Sequence, residues 1–222
     1  MPNLTCHALI FDLDGVLIDS NDIYEAHWCV WAEERNISCE HILAIHHGRP
    51  VEETIAEVAP HLDAHVEAQA YKNGLERGHY LDFVRAYAGA HDLLALLPYD
   101  RWAIATSAPR AFALSLLDQL ELPRPRTFVS GEDVGAGKPQ PFPFLRAAWS
   151  LKRDIKDCVV VEDAPAGITA ARRAGARVIA LSTTNPRERL READFIVREL
   201  AELSVSVQEN GLQIDLQKFN KR

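Results

Sequence analysis

Apolar residues along this chain gather into short unbroken runs, each ending on a polar cluster. "HALIF" (7–11), "RWAIATS" (101–107), "DCVVVED" (157–163) and "ARVIAL" (176–181) are of this kind, with "ADFIV" (193–197) a weaker fifth. Continuous apolar and β-branched residues, without alternation, are what a strand covered on both faces shows. Each run leads through turn residues into a helical pattern, which predicts an α/β sheet of parallel strands with right-handed crossovers. "DAPAGITAARRAGA" (163–176) predicts one of those helices, with Gly175 placed to end it.

Residues 18–88 break this rhythm. They hold no convincing buried strand but several helical patterns: "SNDIYEAHWCVWAEERN", "SCEHILAIHH", "PVEETIAEVAPHL" and a long one through "EAQAYKNGLERGHYLDFVRAY". Ser20 or Asn21 is placed to cap the first, and proline with two acids opens the third. The segment reads as a helical insertion between the first strand and the rest of the sheet. Near the end, "SVSVQENGLQIDLQ" (204–217) alternates on both sides of an Asn-Gly pair, which predicts a peripheral hairpin.

Composition narrows the function. The 222 residues are 47% hydrophobic and 25% charged with a net charge of −8, ordinary for a chain that buries a core. No basic stripe points to nucleic acid, and no apolar stretch is of membrane-spanning length. "MPNLTCHALIFDLDG" lacks a basic leader region, so a cytoplasmic protein is expected. The four cysteines (Cys6, Cys29, Cys39, Cys158) are scattered without a CxxC, so reduced, mostly buried thiols are expected rather than a disulfide framework or zinc site.

The polar clusters carry the chemistry. Asp12 and Asp14 follow the first strand, Thr106 and Ser107 the second, Glu162 and Asp163 the third. In an open parallel sheet the crevice beyond the strand C-termini is where ligands bind, so these distant residues converge. Lys138, in the Gly-rich "GAGKP" (135–139), joins them. Crowded carboxylates destabilise one another. A hard divalent cation relieves them, and Mg²⁺ suits an all-oxygen site. Lysine and serine then remain for an anionic group such as phosphate. One ionised aspartate can attack phosphorus, while the other exchanges a proton with the leaving oxygen and later with water.

"FDLDGVLIDS", "IATS", "GKP" and "VVVEDAPAGI", in this order and spacing, resemble the four motifs of the haloacid dehalogenase superfamily. "HHGRP", "GKPQPFPFL" and the stretch after "VVVED" are similar to glycerol-phosphate and deoxyglucose-phosphate phosphatases, with β-phosphoglucomutase a near relative. The resemblance implies a Rossmann-like α/β core (1–17 and 89–222) with an inserted helical cap of the C1 type (18–88). It makes Asp12 the nucleophile and a Mg²⁺ ligand. Asp14 becomes the acid/base, with its backbone carbonyl on the metal. Ser107 binds phosphoryl oxygens, Lys138 screens charge, and Asp163 holds the metal with Glu162 assisting directly or through water. Acid at position 14 favours phosphoryl transfer over dehalogenation.

Thr106, Gly15 and Arg110 complete the expected phosphate side, although Thr106 also suits a structural role, Ser107 a helix cap and Arg110 a solvated helix start. In the cap, "IHHGRP" is the expected specificity segment: Gly48 permits a tight turn, and His46, His47 and Arg49 can hydrogen-bond substrate. Related phosphatases often place an aromatic and then arginine after that glycine; here arginine and then proline follow. Tyr24, Trp28 and Trp31 follow helical spacing and read first as core, with Tyr24 and Trp28 also candidates for the cap–core cleft. The resemblance implies a Mg²⁺-dependent phosphatase of a small phosphorylated metabolite, a sugar or polyol phosphate, acting through an aspartyl-phosphate, with a phosphosugar mutase or a non-catalytic binding protein as alternatives. No nucleic acid or membrane partner is expected, and the chain is expected to be a monomer or a dimer.

Overall fold

In a computed structural model, which describes residues 3–46, 49–77 and 84–216, the four main apolar runs are neighbouring strands. β1 (Asn3–Cys6) precedes β2 (Ala8–Phe11). β3 (Ile18–Asp19) then leads into helices α1 (Asn21–Glu33), α2 (Cys39–Leu43), α3 (Val51–Val58) and α4 (Ala64–Arg77). The chain returns through β4 (Arg85–Ala86), α5 (Ala90–Leu96), β5 (Trp102–Ala105), α6 (Arg110–Gln119) and β6 (Thr127–Val129). It closes with α7 (Phe142–Ser150), β7 (Cys158–Glu162), α8 (Pro165–Ala174), β8 (Arg177–Leu181), β9 (Phe195–Val197), β10 (Leu203–Gln208) and β11 (Gly211–Leu216).

The main sheet has six parallel strands in the order β6-β5-β2-β7-β8-β9. Every residue of β2, β5 and β7 is buried. Successive side chains point to opposite faces: Ala8 and Ile10 pack with α7 and α8, while Leu9 and Phe11 join the larger core on the other side. Two covered faces explain why these strands read as unbroken apolar runs. Gly175 ends α8 in the left-handed region at φ +93°, as the sequence implied. β6, "TFV", was not foreseen: it is three residues long with a half-buried Phe128, too short to mark itself.

The hairpin forms, but not alone. β1 adds to β11, giving a separate antiparallel sheet β1-β11-β10. Gly211 begins β11 opposite Gln208, leaving Glu209 and Asn210 in the turn. A Cβ at Gly211 would stand 2.5 Å from the Cys6 carbonyl, so close strand approach calls for glycine there.

Each of the four predicted helical patterns of the insertion contains a helix, but the last is helical only to Arg77 among the described residues: 78–83 lie outside them, and Arg85–Ala86, expected to be helical, is a strand. Two expectations need correcting. Ile18–Asp19 pairs antiparallel with Arg85–Ala86, so a short two-strand neck joins the inserted helices to the sheet. Cys29 and Cys39 are disulfide-bonded rather than free, with Cα atoms 5.0 Å apart. They pair because α2 folds back on α1, an approach that no cysteine spacing encodes. Cys6 and Cys158 are free and buried, as expected.

Candidate active site

The end of β2 fixes both leading carboxylates. The Asp12 amide donates to Val161 O (2.9 Å), holding the residue in register with β7 just where the sheet stops. The chain then turns on itself, with Leu17 N bonded to Leu13 O and Gly15 N to Ile18 O. Gly15 sits at φ +77°, and a Cβ there would lie 2.1 Å from Asp163 Oδ2. Only glycine satisfies both the backbone and the space.

Asp14 is gripped from two sides. Ser20 Oγ donates to its Oδ1 (2.5 Å), and Thr106 Oγ1 faces its Oδ2 at 3.4 Å. Ser20 occupies the N-cap of α1, yet its hydroxyl makes no cap hydrogen bond and is committed to Asp14 instead. Thr106 accepts from the Ala108 amide (3.0 Å), so it shapes the turn after β5 as well. Burial pushes the Asp14 carboxyl up, while hydrogen bonds from Ser20, Tyr24 and Thr106 and the charge of Lys138 pull it down; burial prevails.

Lys138 is wholly buried between two acids, its Nζ 2.8 Å from Asp12 Oδ1 and 2.6 Å from Glu162 Oε1. Burial opposes its charge, but Asp12 and Glu162 outweigh that and hold it protonated, above the ordinary lysine range. The other Glu162 oxygen accepts from the amides of Asp163 (2.9 Å) and Ala164 (3.0 Å). A Cβ at Gly167 would fall 1.7 Å from Glu162 Oε1, so glycine lets α8 pass over this carboxylate.

Asp163 receives hydrogen bonds from Thr184 Oγ1 at Oδ2 and from Asn185 Nδ2 at its carbonyl (3.3 Å). Neither partner was foreseen. Both follow β8 in "LSTTNP", the same strand-end position that identified the other acids. Oxygens of Asp12, Glu162 and Asp163 lie within 4.8 Å of one another, all buried. Burial first, then Glu162 and Asp14, raise Asp12 to about 7 despite Lys138. Burial, Glu162 and Asp12 push Asp163 well above the carboxylate range. One lysine thus balances a crowd of hard oxygen donors incompletely, and a divalent cation fits that donor set.

These acids open onto a cavity of about 80 Å³, lined by Ser107 on the sheet side and by Tyr24, Trp28, His46, Arg49 and Tyr71 from the inserted helices. Ser107 caps no helix, since Pro109 holds that position at α6. Arg49 also pairs with Glu57 (2.9 Å). His47 and Gly48 lie outside the described residues. Tyr71 and Leu75, also in the wall, were not foreseen: at i and i+4 on α4 they look like core from sequence. Arg110 departs from expectation. Its guanidinium bonds Phe128 O (3.1 Å) and Asp133 Oδ2 (2.5 Å), and it is not among the cavity-lining residues.

A parallel sheet whose carboxyl edge carries buried acids and a lysine, closed over by inserted helices, defines an open α/β fold of the Rossmann-like class with its candidate reactive groups at the strand ends. Residues 9–181 match the haloacid dehalogenase-like hydrolase family, and the chain belongs to it. It is similar to hexitol phosphatase A of Escherichia coli, with 34% identity over 94% of this chain and 98% of that protein. It is also similar to glycerol-1-phosphate phosphohydrolase 1 of Saccharomyces cerevisiae, with 32% identity over 88% of this chain and 83% of that one. The fold matches the crystal structure of β-phosphoglucomutase from Clostridium difficile at a TM-score of 0.78, with 20% identity over 90% of this chain and 93% of the other. The protein is an enzyme, a phosphoric monoester hydrolase of this superfamily.

Proposed function

We propose that this enzyme hydrolyses a small polyol or sugar phosphate through an aspartyl-phosphate on Asp12, with Mg²⁺ as cofactor. The observation that carries this reading is the placement of Asp12 and Asp14 side by side at the end of β2, under a cavity roofed by aromatic side chains. Hexitol and glycerol phosphates are the substrates named for the two relatives above, which supports a neutral hydroxylated leaving group.

In this reading an Asp12 oxygen attacks phosphorus in line and the ester P–O bond breaks. Asp14, kept protonated more readily by its burial, gives its proton to the leaving alcohol. Asp14 then takes a proton from water, which attacks phosphorus and releases Asp12. Lys138 and Ser107 stabilise charge on the phosphoryl oxygens through both steps. Asp12, Asp163 and the Asp14 carbonyl would hold the cation, which when bound offsets negative charge at the phosphoryl group. Glu162 has one oxygen on Lys138 and the other on two amides, which supports a role orienting Lys138 and the β7–α8 turn behind the metal.

The cavity is well below the roughly 300–1,000 Å³ of small-molecule sites, so the inserted helices (18–88, taken as a cap) would open for a polyol chain to enter. The two-residue neck pairing is the natural hinge. A screen of phosphate release from sugar and polyol phosphates with Mg²⁺ tests the reading, with Asp12→Asn as control. Turnover abolished in Asp12→Asn is expected; substantial activity in that variant would refute the mechanism. Isomer formation from a hexose phosphate primed with a bisphosphate would instead identify a mutase.

A further inference from the structure

Two glycines in the loop before Lys138 stand in opposite surroundings. A Cβ at Gly135 would meet nothing within 4 Å, whereas one at Gly137 would stand 2.5 Å from Pro50 Cγ, 3.5 Å from its Cδ and 3.7 Å from its Cβ. Gly137 immediately precedes Lys138, and Pro50 leads into α3. The inserted helices therefore touch the sheet domain at the residue next to the lysine. Pro50 has little room to yield. Its ring is rigid, and its carbonyl accepts both the amide (3.1 Å) and the hydroxyl (3.2 Å) of the buried Thr54. On the other side, the lysine head is held by Asp12 and Glu162. The Pro139 carbonyl after it accepts from Arg173 (3.1 Å). Arg49, one residue before Pro50, lines the cavity. One dipeptide thus faces the substrate space with its first residue and the lysine loop with its second.

We propose that Pro50 is a positioning residue for Lys138. Seated on Gly137 while the inserted helices are closed, it holds the loop where the ammonium meets the phosphoryl oxygens, so that transfer is fast only with the cavity shut. The inference rests on the phosphatase reading and adds to it a link between closure and chemistry. When the helices swing out about the neck, Pro50 leaves Gly137 and the loop loses that cover. A Cβ at position 137 would hold Pro50 off by about 1 Å, and misplacement on that scale can cost about a hundredfold in rate.

The test is a double-mutant cycle on the best sugar or polyol phosphate, read as kcat and KM with Mg²⁺ present. Pro50→Ala adds no bulk and should lower kcat several-fold, with KM within about twofold of wild type, because the contact serves the transition state. Gly137→Ala should lower kcat by about ten- to a hundredfold. The double variant loses the 2.5 Å and 3.5 Å contacts and keeps only the ordinary one to Cβ at 3.7 Å. Its kcat should return to within about threefold of that of Pro50→Ala. An unchanged kcat in Pro50→Ala would overturn the inference, and decides the matter alone if Gly137→Ala does not fold. A double variant no faster than Gly137→Ala would also overturn it, since the added methyl would then harm Lys138 without Pro50. So would losses confined to KM, which would make the contact part of the substrate wall. Each of these leaves the phosphatase reading intact. No phosphate release by wild type from any such ester would overturn both.

Discussion

The Lys138 ammonium lies 2.8 Å from Asp12 Oδ1, and both groups are buried. Lys138 compensates Asp12 and Glu162 together, so its loss would leave two carboxylates in the interior without a cation. Lys138→Met should cost about 3–5 kcal/mol of stability near pH 8, the usual effect of breaking a buried pair. The cost should shrink toward pH 5, where Asp12 can neutralise itself by taking a proton. Turnover should fall at least about a hundredfold, as when a charge-stabilising donor is removed. Urea unfolding at the two pH values, together with phosphate release, checks this. A variant as stable as wild type at pH 8 would contradict the assignment.

The raised carboxyls make metal binding visible without any substrate. Asp12 moves from 3.8 to about 7, and Asp163 lies well above the carboxylate range, both through burial first. Between about pH 4 and pH 7 the folded state therefore binds protons that the unfolded chain releases. Stability of the metal-free protein should fall as pH rises through that window. A divalent cation competes with the same protons. Added Mg²⁺ should thus raise Tm more at pH 8 than at pH 5, and chelation should reverse the gain. A Tm shift independent of pH, or none, would argue against a metal at these acids.

Arg110 was expected at the phosphate, yet it is held by Phe128 O and Asp133 across the start of α6. Both partners are partly exposed, so the pair contributes little. Arg110→Ala should cost about 0.2–1 kcal/mol and leave KM for the best substrate within about twofold. A tenfold rise in KM would return Arg110 to the site.

These cases show what could be read from the chain. Asp12, Asp14, Thr106, Glu162 and Asp163 were legible because parallel strands buried on both faces carry unbroken apolar runs, and polar residues at their ends stand out. Thr184 and Asn185 follow the same rule after β8, but read as an ordinary turn beside "NP". Ser20 was legible as a helix cap and not as a partner of Asp14, since both uses need the same residue at the same place. Tyr71 and Leu75 were hidden for another reason. A helix face turned to a cavity has the same apolar spacing as one turned to the core, and only the closing of α4 over the sheet tells them apart. β1 escaped because its pairing partner, β11, lies about two hundred residues away in the chain.

The Cys29–Cys39 bond joins α1, which contributes to the cavity wall, to α2, which precedes two further residues of that wall. α1 carries Tyr24 and Trp28, while α2 leads directly into His46 and Arg49. Cys6 and Cys158 stay apart from this chemistry, because burial pushes their thiols up to about 11 and about 12. Thiol titration of the unreduced, denatured chain should therefore find only these two, Cys6 and Cys158. Cys39→Ser should lower the unfolding free energy by about 2–3 kcal/mol, as expected for a short closed loop. Freed from α1, the α2 segment would present His46 and Arg49 less rigidly, whereas Asp12, Asp14 and Lys138 stand on the sheet and its loops. The variant should accordingly raise KM several times more than it lowers kcat, a split that steady-state kinetics resolves. An equal effect on both parameters would mean that the bond supports the reactive groups themselves rather than the wall above them.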